Sequence, residues 1–305
     1  MNLTMQHRRL GDTDLECSVV GLGTGRLASV SAGVSSLRAG RLMDAAADLG
    51  INMIDTADSY AQGACERLLG DLLRGRRDRF LLATKAGYCF PDLPPALRMA
   101  APFVKKIVNA LTRRTQNFTP HAIERCVEAS LKRLQTDRID LFFLHTPDVR
   151  AMGNGALLEM LRGLKKQGKI RHFGVSSHDP EVLRAACRTE GVTAVQAPVN
   201  PCFRDTLAAL PELNTARIGA VANRVFLSGK LLAPGVDDAP LRERIERLRS
   251  ARGATASRLL MQFALAQPGV ACALSGTTDA EHLKQNVADA LDTGTFTREE
   301  IASLG

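Results

Sequence analysis

Short apolar runs with β character alternate with amphipathic helical stretches from about residue 17 to 290, and this alternation constrains the fold more than any other feature. The strand candidates are 18–22, 52–55, 80–85, 139–144, 172–176, 194–197, 218–223 and 270–275. Their apolar runs are nearly continuous, as expected of strands covered on both faces. Eight such strands with helices between them imply parallel pairing through right-handed crossovers. The predicted fold class is α/β, a (β/α)8 TIM barrel. A single barrel accommodates all 305 residues (1–305), and no linker, tandem repeat or low-complexity segment divides them.

The helices have clear start and stop signals. Thr119-Pro120 reads as an N-cap and first helical residue, and Ile123, Val127, Leu131 and Leu134 follow at helical spacing. Leu157, Leu161 and Leu164 form a second stripe, which Gly168 ends. Asp179-Pro180 opens a third helix, and a fourth over 36–49 stops at Gly50. Before the barrel, 8–16 reads as an N-terminal β-hairpin with a Gly11-Asp12 turn, placed to plug the amino end. A long loop insertion, about 86–118, has a basic helical middle at 94–114 and a breaker at Pro102. Long loops at the carboxyl face of a barrel are usually walls or lids, and the plain alternative is a solvated helical decoration.

Composition narrows the partners. Hydrophobic residues make up 45% and charged residues 24%, ordinary for a globular core. The formal charge of +8 comes from arginines and lysines spread over helix faces, with no stripe that interleaves basic and aromatic residues. That argues against nucleic acid. No apolar run approaches the ~20 residues of a membrane span, and the first ten residues lack a signal-like apolar stretch. The seven cysteines are scattered and form no C-x-x-C pair, which predicts no structural metal and a reducing, cytoplasmic setting.

Three of the strand candidates end on an ionisable side chain: Asp55, Lys85 and His145. Tyr60 follows Asp55 in the next loop. Ionisable groups at the carboxyl ends of successive parallel strands are how a barrel of this class builds an active site. A phenol is a poor acid near neutrality, and an adjacent ammonium makes it a better proton donor. Asp55 can hold that ammonium, and His145 can donate to a carbonyl oxygen. Singly each residue has a structural alternative: a turn cap, a core phenol, a solvated lysine, a structural histidine. Tyr88 is the only other tyrosine and reads as a pocket wall. A Schiff-base role for Lys85 would leave Tyr60 unexplained.

Three segments resemble the aldo-keto reductase family: Gly50-Ile51-Asn52-Met53-Ile54-Asp55-Thr56-Ala57-Asp58-Ser59-Tyr60, then the run Ile139 to Asp148, then Lys169 to Ser177. The resemblance extends from Gly21 to Asn286. It implies hydride transfer between a nicotinamide and an aldehyde or ketone, with Tyr60 as proton donor, Lys85 and Asp55 tuning it and His145 orienting the substrate. It further implies that Gly23, Thr24 and Asp55 lie by the nicotinamide half and that Ser176, Ser177 and Gln196 hold the carboxamide. The family usually has asparagine where Ser177 stands. The ring-stacking position at the seventh strand is usually aromatic; here Asn223 or Arg224 fills it, with Arg224 preferred because a guanidinium plane stacks on a ring. Ser228 and Gly229 then face the pyrophosphate, with Lys230 adding charge. Gly276, Thr277, Thr278, His282, Gln285 and Asn286 correspond to the adenosine turn and helix. The family often places a strong cation near Thr278 or at His282, and glutamate where Gln285 stands; here neither Thr278 nor His282 is strongly basic, so NADPH is expected on family grounds with NADH left open. The same resemblance allows a second reading, a cofactor-binding regulatory or interaction module that keeps the fold. The few aromatics in the carboxyl-face loops point to a small polar carbonyl substrate.

Overall fold

The computed structural model describes residues 4–28, 34–88, 116–232, 238–292 and 294–305. Strands β1 (His7–Arg9) and β2 (Glu16–Ser18) pair antiparallel as the expected hairpin. The barrel follows: β3 (Val20–Gly23), β4 (Met53–Asp55), β5 (Leu81–Ala86), β6 (Ile139–His145), β7 (Ile170–Ser176), β8 (Val192–Pro198), β9 (Gly219–Asn223) and β10 (Val270–Ser275). All eight pair in parallel with their chain neighbours, and β10 closes on β3. The chain is therefore a (β/α)8 barrel with an N-terminal β-hairpin.

The first strand candidate, 18–22, is in fact the junction of two elements, β2 and β3. Ser18 makes the break. Its Oγ donates to the Val20 carbonyl at 2.7 Å and accepts from Asn52 N at 3.1 Å, while its own N–H goes to Asn52 Oδ1 at 2.7 Å. Side-chain bonds thus replace ladder bonds where the chain turns from hairpin to barrel.

Helices cover the outside. They include α1 (Ser36–Asp48), α2 (Ala64–Leu72), α3 (Pro120–Leu134), α4 (Val149–Met152), α5 (Gly155–Lys166), α6 (Pro180–Ala186) and α7 (Arg204–Thr215). Two helices, α8 (Ala239–Ala251) and α9 (Ala256–Ala266), lie between β9 and β10; α10 (Ala280–Leu291) and α11 (Arg298–Ala302) end the chain. Asp179 caps α6 as its sequence implies, accepting from Glu181 N at 2.9 Å. Thr119 precedes α3 but makes no side-chain cap bond; its N–H and hydroxyl both donate to Asn117 Oδ1. The helical middle expected at 94–114 lies outside the described residues.

Two apolar layers result. Outward side chains of the strands pack under the helices. Inside the barrel, Met53, Ala83, Leu141, Phe143 and Val221 stack on Leu10, Leu15 and Cys17 from the hairpin. Leu10 and Leu15 are fully buried, and each stabilises the plug by roughly 2 kcal/mol on burial. The hairpin turn needs its glycine: Gly11 has φ +54°, and a Cβ there would lie 2.3 Å from Gly219 N.

The amino end is also tied electrostatically. Asp140 on β6 is buried and accepts from Arg77 Nη2 and Arg171 Nη1, both at 2.7 Å, and from Leu82 N at 2.9 Å. Arg171 continues to Asp14 in the hairpin turn at 2.8 Å, and His172 Nε2 lies 2.6 Å from the other Asp14 oxygen. These bonds hold the Asp14 carboxyl well below its usual range. Removing Asp140 strands two cations beside a buried amide, so Asp140→Ala should cost about 3 kcal/mol in urea unfolding. A cost under about 1 kcal/mol would show that the network is merely a surface pairing.

Candidate active site

Side chains alternate along a strand, so every second residue points to the barrel axis. Above the inner-core residues Met53, Ala83, Phe143, Ala194 and Val221, the next inward positions are Asp55, Lys85, His145, Gln196 and Asn223. An apolar plug is thus topped by a single layer of polar side chains at the carboxyl ends of the strands.

Lys85 is at the centre of that layer and is only 1% exposed. Its Nζ donates to Asp55 Oδ1 at 2.6 Å, to Asp55 Oδ2 at 2.8 Å and to the Thr56 carbonyl at 2.7 Å. Tyr60 Oη lies 3.4 Å from the same nitrogen. Burial works against the Lys85 charge, but the Asp55 carboxylate and the Tyr60 oxygen outweigh it, so the ammonium is held above its ordinary range. Gln196 Nε2 donates to Asp55 Oδ1 at 2.7 Å, and Gln196 Oε1 accepts from Ser176 Oγ at 2.9 Å and Asn223 Nδ2 at 3.3 Å. One network therefore links β4, β5, β7, β8 and β9.

Tyr60 is packed between this network and His145. The two rings meet edge to face at 6.4 Å, and Tyr88 meets His145 the same way at 4.8 Å. Tyr88 is thus a wall beside His145. Ser59 Oγ is 3.4 Å from His145 Nδ1. The sequence alone suggests that Lys85 lowers the Tyr60 pKa. In the fold, burial and Asp55 offset Lys85, and the phenol is raised above its ordinary value. Tyr60 stays protonated at neutral pH, the state a proton donor requires.

Thr24 buttresses Asp55 from β3: its N–H and its hydroxyl both donate to the Asp55 carbonyl at 2.9 Å. Gly23 ends β3 beside it and is paired with Asp55 across the ladder. Ser177 is buried, and its Oγ accepts from Asp179 N at 3.1 Å. Arg224 is exposed, with φ +50°, and offers its carbonyl to Asn200 Nδ2. Of the two seventh-strand candidates, the structure brings Asn223, and not Arg224, into the polar layer.

Beyond β9, Ser228 and Gly229 both have left-handed backbones, with φ of 58° and 89°. Beyond β10, Thr277 Oγ1 accepts from Asp279 N, and Asp279 Oδ1 caps α10 through Glu281 N and His282 N. Gln285 is committed to Asp289, and Asn286 to Ser275 Oγ at 2.8 Å. Thr278 is approached by a cation from elsewhere in the chain. Arg38 of α1 donates to its carbonyl at 3.1 Å and pairs with Asp279 at 3.1 Å. Sequence spacing could not reveal that approach.

These residues fit a dinucleotide. Gly229 and Gly276 each face open space, with nothing within 4 Å of a Cβ built on them. Asn223 Oδ1 is a buried acceptor with no partner. Among the described residues no group of three or more His, Cys, Asp or Glu side chains is arranged to hold a metal ion.

A second buried acid was missed in the sequence. Asp58 donates its N–H to the Lys85 carbonyl at 3.1 Å, yet its Oδ1 has no partner. Burial first, and Glu66 second, push its pKa up to about 8. Glu66 itself is fully buried on α2, bound by Thr84 Oγ1 and Arg133 Nε, both at 2.6 Å. The available signal was a charge inside the apolar stripe of α2, between Cys65 and Leu69.

The native state therefore keeps the Asp58 proton up to about pH 8, while the unfolded chain releases it near ~3.9. Native protein binds more protons across that window, so ionising Asp58 erodes stability as pH rises. Asp58→Asn removes the titration. Its stability relative to wild type should climb between about pH 4 and about pH 8, by at most ~1.4 kcal/mol per unit, then level off. Urea unfolding at about pH 5, 7 and 9 reads this difference, and a pH-independent difference would contradict the assignment.

Comparison with known proteins agrees with the geometry. The aldo/keto reductase family model matches residues 19–305. The chain is 30% identical to the uncharacterized oxidoreductase YqkF of Bacillus subtilis (strain 168), over 98% of this chain and 95% of that protein. It is 28% identical to pyridoxal 4-dehydrogenase of Microbacterium luteolum, over 92% of each. Among solved structures, the holo form of aldo-keto reductase AKR11C1 from Bacillus halodurans superposes with a TM-score of 0.80 at 27% identity, covering 99% of this chain and 96% of that one. A protonated phenol and a buried ammonium–carboxylate pair at the mouth of such a barrel, in a chain with these relatives, make this protein a member of the aldo/keto reductase family of oxidoreductases.

Proposed function

We propose that this protein is an NAD(P)H-dependent carbonyl reductase or alcohol dehydrogenase, converting an aldehyde or ketone to an alcohol or the reverse. The observation that supports it most strongly is the Lys85 ammonium held between the Asp55 carboxylate and the Tyr60 phenol. Reduced nicotinamide supplies the hydride to the carbonyl carbon. The chain's own task is to place the substrate, hold it still and deliver a proton to the oxygen.

Tyr60 is the donor. It is protonated at neutral pH, and its developing phenolate is met by the Lys85 ammonium 3.4 Å away. Asp55 keeps Lys85 in place and charged. His145 has its Nδ1 3.4 Å from Ser59 Oγ, and its ring meets Tyr60 and Tyr88 edge to face. A hydrogen bond from it to the substrate oxygen fixes that oxygen toward Tyr60. In the oxidative direction Tyr60 first gives its proton to solvent, and the phenolate beside Lys85 then accepts the alcohol proton.

Gly23, Thr24, Ser176, Ser177 and Gln196 surround the nicotinamide end, and Ser228, Gly229, Gly276, Thr277, Thr278, His282, Gln285 and Asn286 line the pyrophosphate and adenosine end. The substrate is a small carbonyl compound, and pyridoxal belongs in the test panel because one relative bears that name.

Loss of dinucleotide absorbance, followed with NADPH and NADH against aldehydes, ketoacids, sugars and pyridoxal, tests the reading. Tyr60→Phe should lower kcat by roughly 10²- to 10⁴-fold and change dinucleotide affinity by less than about twofold. Tight dinucleotide binding with no turnover of any carbonyl would contradict the enzyme and favour a binding module.

A further inference from the structure

We infer that Asn223, through its unpartnered buried Oδ1, is an acceptor for the carboxamide N–H of the nicotinamide. This rests on the dinucleotide reading above and extends it to a residue outside the set the resemblance implies for the carboxamide.

The argument is an accounting of polar atoms at the barrel mouth. A primary carboxamide presents one carbonyl acceptor and two N–H donors, and a buried site must match both. Gln196 cannot supply the acceptor. Its Oε1 already accepts from Ser176 Oγ and Asn223 Nδ2, and its Nε2 is engaged by Asp55. The Ser176 proton is spent on Gln196. Ser177 Oγ already accepts from Asp179 N, which leaves its hydroxyl proton free as a donor. A serine there can donate to the carboxamide oxygen, and its remaining lone pair is short of the reach of an asparagine amide.

Asn223 completes the match. Its Nδ2 is anchored on Gln196 Oε1 at 3.3 Å, which fixes the amide plane, and its Oδ1 is buried without a partner. An orphaned buried acceptor costs about 1–3 kcal/mol unless something donates to it. Asn223 sits at the carboxyl end of β9, paired with Pro198 of β8, and Gln196 of that same strand is paired with Ser176 of β7. Asn223 and Ser176 therefore flank Gln196 on its two neighbouring strands, and Ser177 follows Ser176 directly. The asparagine amide that position 177 lacks is delivered from two strands away. The arrangement orients the carboxamide, and so selects which face of the ring is presented to substrate.

The test is a binding cycle on the full-length protein, read by fluorescence titration or calorimetry rather than by turnover. Wild type and Asn223→Ala are each titrated with the oxidised dinucleotide, with its 3-acetylpyridine analogue and with the adenosine fragment. In the analogue a methyl replaces the carboxamide nitrogen, and the fragment has no nicotinamide. Asn223→Ala should weaken the natural dinucleotide by about five- to tenfold, and the analogue and fragment by less than about twofold. The wild-type protein should itself discriminate against the analogue by a similar factor, a measurement that does not depend on the variant folding. Equal weakening of all three ligands, or no change in any, would overturn the assignment. If wild type binds no dinucleotide at all, the underlying cofactor reading falls with it.

Discussion

Lys85 and Asp55 form an ion pair at the bottom of a mouth that water barely reaches, and the rest of the site is built on it. Two charges taken out of water cost several kcal/mol each before they attract one another. Here the cost is offset only because both Asp55 oxygens and the Thr56 carbonyl surround the ammonium. Apolar side chains of the same volume would often be as stable or more so. Stability therefore does not explain the pair. Its position does: it holds a charge 3.4 Å from a phenol at the end of the barrel where parallel strands converge. Through Gln196 the same carboxylate is linked to Ser176 and Asn223, so the whole polar layer shares one anchor.

The two ends of the barrel are divided between stability and chemistry. At the amino end, the hairpin seals the axis with Leu10 and Leu15, and Asp140 binds three donors with no orphaned oxygen. At the carboxyl end the polar atoms are incompletely satisfied: Thr56 Oγ1, Asp58 Oδ1 and Asn223 Oδ1 are the described buried side-chain atoms without partners. Unmet polar atoms concentrated beside a reactive set are what a ligand-binding surface requires before its ligand arrives.

The barrel was legible because its strands are apolar on both faces and its helices carry caps, so Asp179, Gly50 and Gly168 mark real boundaries. The 18–22 run misled because apolar character says nothing about the Ser18 hydroxyl, whose bonds to Val20 and Asn52 interrupt the strand. The four residues Asp55, Tyr60, Lys85 and His145 could be found because three of them end strands, and the fold does bring all four together. Strand parity from Val221 brings Asn223 into the polar layer, while Arg224, singled out for its chemistry, is exposed one residue further on. Asp58 and Glu66 stayed hidden because their burial is a tertiary event; Arg133 of α3, for one, reaches Glu66 across 67 residues of sequence. Arg38 reaches Thr278 across 240 residues of sequence, which no local pattern encodes.

The most direct measurement is label transfer. The protein is incubated with NADPH or NADH carrying deuterium at both C4 positions of the dihydronicotinamide and with an aldehyde it turns over, and the alcohol is analysed by mass spectrometry. If Lys85, Asp55 and Tyr60 serve carbonyl reduction, a single deuterium appears on the carbinol carbon and the hydroxyl proton comes from solvent. An alcohol formed without the label, or a bound dinucleotide that never surrenders it to any carbonyl, would contradict the account.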